Sequence, residues 1–268
     1  MKTRSRPARM RSVPVAAMMM AALAAMIVAG LSSQLFPQAD KADAASIATP
    51  LSTAGVVRRM AAMNVGRHTA LHAFTALRHY HLEYRGLGTD IADMEVRVDY
   101  TAPGPQRLTI VSESGSGMLL HHVLGPLIRA EEKEAEIEST EGSVFVPNNY
   151  SFTMVDYPHP GGQPDYVLAI KPRRDAHRFL FRGTIWIDPD DFGLVRAEGT
   201  SVHAPSWLVS KFEFSYHGQK IGDFWMPQSN DCVSHLRLFG HATLDVTYKD
   251  FEITPPHPVS FLAGETPQ

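Results

Sequence analysis

The sequence lacks several features that would point to particular classes of protein. It contains one cysteine, Cys232, among 268 residues, which excludes an internal disulfide. It contains neither a G-x-S-x-G motif nor a P-loop lysine, the signatures of serine hydrolases and nucleotide-binding loops. After residue 44 there is no run of five basic residues, whereas nucleic-acid binding needs clustered lysine and arginine. We therefore expect no nucleic-acid partner and no cofactor, and we predict that the chain is not an enzyme.

The N-terminus, by contrast, contains a long apolar run at residues 13–31. Five basic residues and no acidic residue precede this run, and Ala42-Asp43-Ala44 follows it after a polar stretch. This order of segments is typical of a secretory signal peptide, and it predicts cleavage after Ala44. A run of this length is also long enough to remain as an uncleaved membrane anchor. In both cases the sequence predicts that the rest of the chain is exported.

The exported part is predicted to be one acidic domain. Residues 1–44 contain six basic and two acidic residues, so their removal leaves 19 basic and 26 acidic residues, a net charge of −7. Residues 50–254 contain no internal repeat and no linker, which predicts a single domain. The proline-rich residues 255–268 are expected to form a disordered tail.

Hydrophobic periodicity predicts a mainly β fold with two helices, an α+β class. Apolar residues at steps of three and four predict a helix over residues 56–77 with Ser52 as its N-cap, and a second helix is predicted over residues 115–141. The acidic second half of that helix is interpreted as a solvated face. Alternation with a period of two predicts ten strands, at residues 79–85, 93–100, 106–112, 150–157, 165–171, 177–187, 194–200, 208–217, 231–239 and 243–253. We expect a curved, unclosed antiparallel sheet with the helices on its concave side.

Two groups of polar residues resemble metal sites only in part. One is a set of four histidines, His68, His72, His79 and His81. The first two have the i, i+4 spacing of a helical zinc motif, but the glutamate that the motif requires at its second position is missing. The other is the sequence Asp188-Pro-Asp-Asp191, which lacks the remaining ligands of a calcium loop and predicts a hairpin turn. Cys232 is expected to be a small buried hydrophobe. We therefore predict no metal site, and a zinc-dependent enzyme using the four histidines is the least favoured alternative.

Three segments resemble a family of exported bacterial proteins. They begin at Arg78 (RHYHLEYRG), at Gly183 (GTIWIDPDDF) and at Gly222 (GDFWMP, followed by RLFGHATLDVTYKDF). These motifs are similar to those of outer-membrane lipoprotein-sorting proteins of the LolA/LolB-like superfamily. The resemblance covers about residues 55–253 and implies an unclosed β-barrel with a helical lid over a hydrophobic cavity, located in the periplasm.

The resemblance and the apolar strands lead to a leading hypothesis and one alternative. The leading hypothesis is a periplasmic carrier or binder of lipids or lipoprotein acyl chains, with a possible contact to the membrane surface. The alternative is a non-catalytic envelope interaction or stress-sensing module that has the same fold and binds a protein partner. The candidate lining residues are inward-facing apolar residues of the strands: Met94, Val96, Val98, Leu108, Ile110, Phe152, Met154, Phe179 and Phe181.

Overall fold

In the part of the chain that the structure describes, ten antiparallel strands form one sheet, and helices cover its inner face. The structure, a computed structural model, describes residues 51–141, 150–173, 181–202, 209–237 and 240–254. The predicted signal peptide, the predicted tail and the candidate lining residue Phe179 lie outside these residues. Within the described residues, no helix combines the length and the apolar character that are needed to span a membrane.

The first helix is shorter than predicted because a strand takes its last residues. Helix α1 runs from Thr53 to Ala70, and the Ser52 hydroxyl accepts a hydrogen bond from the Gly55 N–H at 3.2 Å, as expected of an N-cap. The prediction that the helix continues to residue 77 is wrong. Residues from Ala73 onward pair with strands on both sides, and Phe74 and Leu77 fit a helical spacing without being helical. The ladder hydrogen bonds on two sides outweigh that local preference.

The ten strands follow the predicted segments with shifts of a few residues at most boundaries. The largest corrections are in β9, which begins at Phe224 rather than residue 231, and in β1, which begins at Ala73 rather than residue 79. Strand β8 continues to Ile221, past its predicted end at residue 217. The bounds are β1 Ala73–Arg85, β2 Thr89–Thr101, β3 Arg107–Gly115, β4 Tyr150–Asp156, β5 Tyr166–Pro172, β6 Phe181–Ile187, β7 Leu194–Ser201, β8 Val209–Ile221, β9 Phe224–Leu236 and β10 His241–Thr254.

The strand order leaves the sheet open. The order is β3-β2-β1-β10-β9-β8-β7-β6-β5-β4, so β3 and β4 are its two edges and do not pair with each other. Sheets of ten strands curl rather than remain flat. The curved, unclosed barrel predicted from the sequence is therefore confirmed, and so is its covering by helices.

The second helical segment follows β3 after a sharp change of direction at Gly115. This glycine has a φ of 92°, and a side chain on it would place its Cβ 2.3 Å from the Ile91 carbonyl oxygen. Only glycine fits such a position without strain. The segment consists of a single turn, α2, at Gly117–Leu119, a π-helical turn at Leu120–Leu124, and helix α3 at Gly125–Glu141.

Two groups of buried apolar side chains fill the space between the sheet and the helices. The main cluster joins both helices to most of the strands and includes Val56, Met60, Leu127, Ile128, Met94, Val96, Phe181 and Ile185. The small cluster lies at the end of the sheet where β1 begins and consists of Leu71, Phe74, Ala76, Val98, Tyr100 and Met226.

Candidate functional site

Helix α3 covers the sheet with an apolar stripe that contains one carboxylate. Leu127, Ile128 and Ala135 of α3 are buried on one helical face, which Leu124 of the preceding π-helical turn extends. Glu131 occupies the middle of this face, and only 1% of it is exposed. The prediction that the acidic half of this helix is a solvated face is therefore wrong for Glu131.

Glu131 is buried because strand β1 presents a buried cation and a phenol to it. The Arg78 guanidinium donates to Glu131 Oε2 at 2.9 Å from Nη1, and the Tyr80 hydroxyl donates to the same oxygen at 2.8 Å. Arg78 Nη2 also donates to the Gln106 side-chain carbonyl at 2.7 Å. The guanidinium carbon lies 5.2 Å from the centre of the Tyr248 ring on β10. We call these five residues the polar cluster.

The polar cluster is charged and incompletely hydrogen-bonded. Burial raises the pKa of the Glu131 carboxyl, and the charge of Arg78 and the hydrogen bonds from Tyr80 and Arg78 oppose that rise. Among the described residues, Glu131 Oε1, Arg78 Nε and the Tyr248 hydroxyl are buried without a hydrogen-bond partner. Such groups are rare in folded proteins and are costly to bury.

A second contact fixes α3 to the edge of the sheet. The Glu132 carboxylate accepts a hydrogen bond from the Leu108 N–H on β3 at 3.4 Å. Among the described strands β3 pairs with β2 alone, so this backbone group belongs to an edge strand. The described attachments of helix α3 thus include the buried ion pair, the Tyr80 hydrogen bond, a weak hydrogen bond at the edge and the apolar stripe.

Helix α1 is held at the opposite flank by Asp191, in the turn between β6 and β7. The Asp191 carboxylate contacts Arg67 of α1 at 3.2 Å and Lys220 of β8 at 2.6 Å, and it accepts from the Trp225 indole at 2.9 Å. Burial alone would raise its pKa, but hydrogen bonds from Lys220, Trp225 and the Gly193 N–H and the charge of Arg67 lower the pKa to about 2.

The candidate lining residues lie on both flanks of the sheet. Met94, Val96 and Phe181 are fully buried members of the main cluster, and Val98 belongs to the small cluster. Leu108, Phe152 and Met154 are partly buried and pack against the main cluster. Ile110 is 44% exposed on edge strand β3. A binding role for these residues stays a prediction.

The four histidines considered as zinc ligands do not form a site. His79 and His81 lie on the outward face of β1, and both contact Asp93, at 3.4 and 2.7 Å. His68 is on α1, and burial lowers its pKa. In the part of the chain that the structure describes, no group of three or more histidine, cysteine or acidic residues is arranged to hold a metal ion.

Two other sequence predictions are confirmed. The Asp188 carboxylate accepts from the N–H groups of Asp190 and Asp191, both at 2.9 Å, which forms the hairpin turn between β6 and β7. Cys232 is a buried free cysteine, and burial raises the pKa of its thiol, so that the thiol stays protonated and unreactive.

Sequence reasoning missed Arg78, Glu131 and Asp191. Arg78 lies at steps of two residues from Ala76 and Tyr80 on β1, so it shares their inward face. A strict period of two in the sequence would have shown this. Glu131 lies at helical spacing between Ile128 and Ala135, as a residue of the buried stripe must. The turn that contains Asp191 was predicted, but the contacts of its carboxylate had no sequence signal, because its partners come from three elements distant in the chain.

Comparison with known proteins finds similarity only among solved structures. No protein-family model matches the chain, and no curated protein matches it. A LolA superfamily protein from Nitrosomonas europaea is 12% identical, with a TM-score of 0.37, over 77% of this chain and 94% of that one. An outer membrane lipoprotein-sorting protein domain from Vibrio parahaemolyticus is 11% identical, with a TM-score of 0.40, over 74% and 90%.

A third solved structure extends this set. It is a DUF1329 family protein from Desulfovibrio piger, 9% identical, with a TM-score of 0.39, over 76% of this chain and 94% of that one.

Proposed function

We propose that this protein binds a lipid or the acyl chain of a lipoprotein between its sheet and helix α3, as a non-catalytic carrier in the periplasm. The observation that carries the proposal is the way in which the main cluster is built. Helices, rather than a second sheet, cover the inner face of an open sheet, and α3 contributes Leu127 and Ile128 to the main cluster, next to Leu124 of the π-helical turn. An acyl chain of similar apolar character can replace that helical face.

The energetics favour an enclosed site over a surface patch. Burial of an acyl chain stabilises the complex by about 0.8 kcal/mol per methylene. A carrier must bind the chain with a free energy comparable to that of inserting the same chain into the membrane. A groove between sheet and helix contacts the chain on several sides, whereas an open patch contacts it on one. The export signal predicted from residues 1–44 and the resemblance to lipoprotein-sorting proteins support the same proposal.

Neighbouring residues on edge strand β4 provide a matched test. Met154 is half-buried and packs against the main cluster, whereas Val155 is 61% exposed on the opposite face. Met154→Glu places a charge where the chain would lie, and we expect it to weaken binding of a fluorescent fatty acid by more than about tenfold, because an unpaired charge is costly against apolar groups. Val155→Glu adds the same charge on the outer face and should leave binding unchanged.

The result that would contradict the proposal is also clear. If the wild-type protein binds no fatty acid, or if the two variants bind it equally, the interior does not accept a chain. The fold would then serve as a protein-interaction or stress-sensing module.

A further inference from the structure

The polar cluster places a permanent positive charge on a mostly apolar inner face of the sheet. Along the inward face of β1, Arg78 stands between Ala76 of the small cluster and Tyr80 of the main cluster. Val96 and Tyr248 are its partners across the two neighbouring strands. Arg78 is 3% exposed, and the anion that it contacts among the described residues is Glu131.

Glu131, which carries the negative charge of the pair, lies on helix α3 and not on the sheet. If α3 moves away from the sheet to admit a chain, it takes Glu131 with it and leaves Arg78 without an anion. A cation that loses its partner in a poorly solvated site is strongly unfavourable. A purely apolar ligand cannot relieve this cost, whereas a ligand with an anionic head can.

The unused hydrogen-bonding groups fit such a ligand. Arg78 Nε and the Tyr248 hydroxyl are buried donors without a partner among the described residues. Glu131 receives both of its hydrogen bonds, from Arg78 and from Tyr80, on the single oxygen Oε2. The oxyanion of a ligand in this cluster can accept those two hydrogen bonds and also hydrogen bonds from Arg78 Nε and the Tyr248 hydroxyl. Such charge-assisted hydrogen bonds are of the strong kind.

We propose that the polar cluster is the headgroup site of an anionic amphiphile, whose carboxylate or phosphate replaces Glu131 at Arg78 when its chain replaces α3. This inference rests on the proposed function, and it adds the class of ligand. In the ligand-free protein Glu131 then occupies the place of the headgroup, and its ion pair with Arg78 holds α3 against the sheet. The apolar residues on both sides of Arg78 receive the chain.

The test compares ligands that differ only in the head. Palmitate is paired with hexadecanol, and lysophosphatidate with the monoacylglycerol of the same chain, with acetate and inorganic phosphate as heads without a chain. We expect the wild-type protein to bind each anionic amphiphile at least about tenfold more tightly than its neutral counterpart, because the neutral ligand leaves Arg78 unpaired. The two free anions should bind far more weakly than either anionic amphiphile.

Three variants separate the headgroup site from a general effect on stability. The double variant Arg78→Gln/Glu131→Gln keeps polar side chains but removes both charges, and it should bind neutral and anionic ligands equally. Glu131→Gln weakens only the ligand-free form, in which α3 lies against the sheet. The affinities for neutral and for anionic ligands should therefore both rise, while their ratio stays that of the wild type. Arg85→Gln removes an exposed arginine from the same strand and should change nothing.

Each contrary outcome points to a different failure. Equal wild-type binding of neutral and anionic amphiphiles overturns the headgroup site and leaves the proposed function intact. Unchanged affinities in Glu131→Gln overturn the replacement of Glu131. Free phosphate or acetate binding as tightly as the amphiphiles overturns the assignment to a lipid head. Failure of every amphiphile to bind contradicts the proposed function itself.

Discussion

Removal of the Glu131 carboxylate should destabilise the protein far more than removal of its neighbour. Glu131→Ala leaves Arg78 buried with no anion and takes away the oxygen that accepts hydrogen bonds of 2.9 and 2.8 Å. Loss of one partner of a buried ion pair typically costs about 3–5 kcal/mol in the free energy of unfolding. Glu132→Ala makes the same change one position along the helix but removes only a 3.4 Å hydrogen bond, for about 0.5 kcal/mol.

Urea denaturation distinguishes these two magnitudes. With a dependence of about 2–3 kcal/mol per molar urea for a domain of this size, Glu131→Ala should lower the unfolding midpoint by about 1–2 M. The double variant Arg78→Met/Glu131→Leu removes both charges and should recover most of the loss, because apolar residues replace buried ion pairs at little cost. Equal and small effects of Glu131→Ala and Glu132→Ala would refute the assignment of the ion pair as the main polar attachment of α3.

The Asp191 turn yields two further predictions. Because the pKa of Asp191 is about 2 in the folded protein and 3.8 in an ordinary aspartate, its ionised form stabilises the fold by about 2 kcal/mol at neutral pH. The difference in unfolding free energy between wild type and Asp191→Asn should therefore be constant above about pH 5 and shrink as the pH falls from about 4 to 2; a difference that grows on acidification would contradict this. Gly193→Ala would place a Cβ 2.0 Å from the Trp225 indole nitrogen, and it should cost about 1–3 kcal/mol and shift the tryptophan emission. Gly88→Ala, where a Cβ meets no atom within 4 Å, is its control.

The sequence was sufficient to predict the strands because their periodicity is strong and local. Residues 93–100 alternate strictly between apolar and charged side chains, and β2 indeed buries Met94, Val96 and Val98. The end of α1 could not be placed in the same way. Phe74 and Leu77 fit helical steps, and their pairing with β2 and β10 depends on residues far along the chain.

The polar attachments of the two helices were harder to predict than the fold. The composition of α3 is acidic, and only the position of Glu131 within the apolar stripe distinguishes it from exposed neighbours such as Glu136. Its burial requires Arg78, which lies 53 residues earlier. Local periodicity in a sequence does not show that two such distant residues are in contact. The burial of either charge nevertheless requires a partner for it.

Native mass spectrometry of the protein purified from the envelope of cells that export it, followed by denaturing extraction, tests the proposed function most directly. We expect a bound species that is released on denaturation and identified as a lipid or an acylated lipoprotein. A protein that is free of ligand, and that still excludes palmitate and lysophosphatidate when they are added, would contradict the central claim that its interior receives an acyl chain.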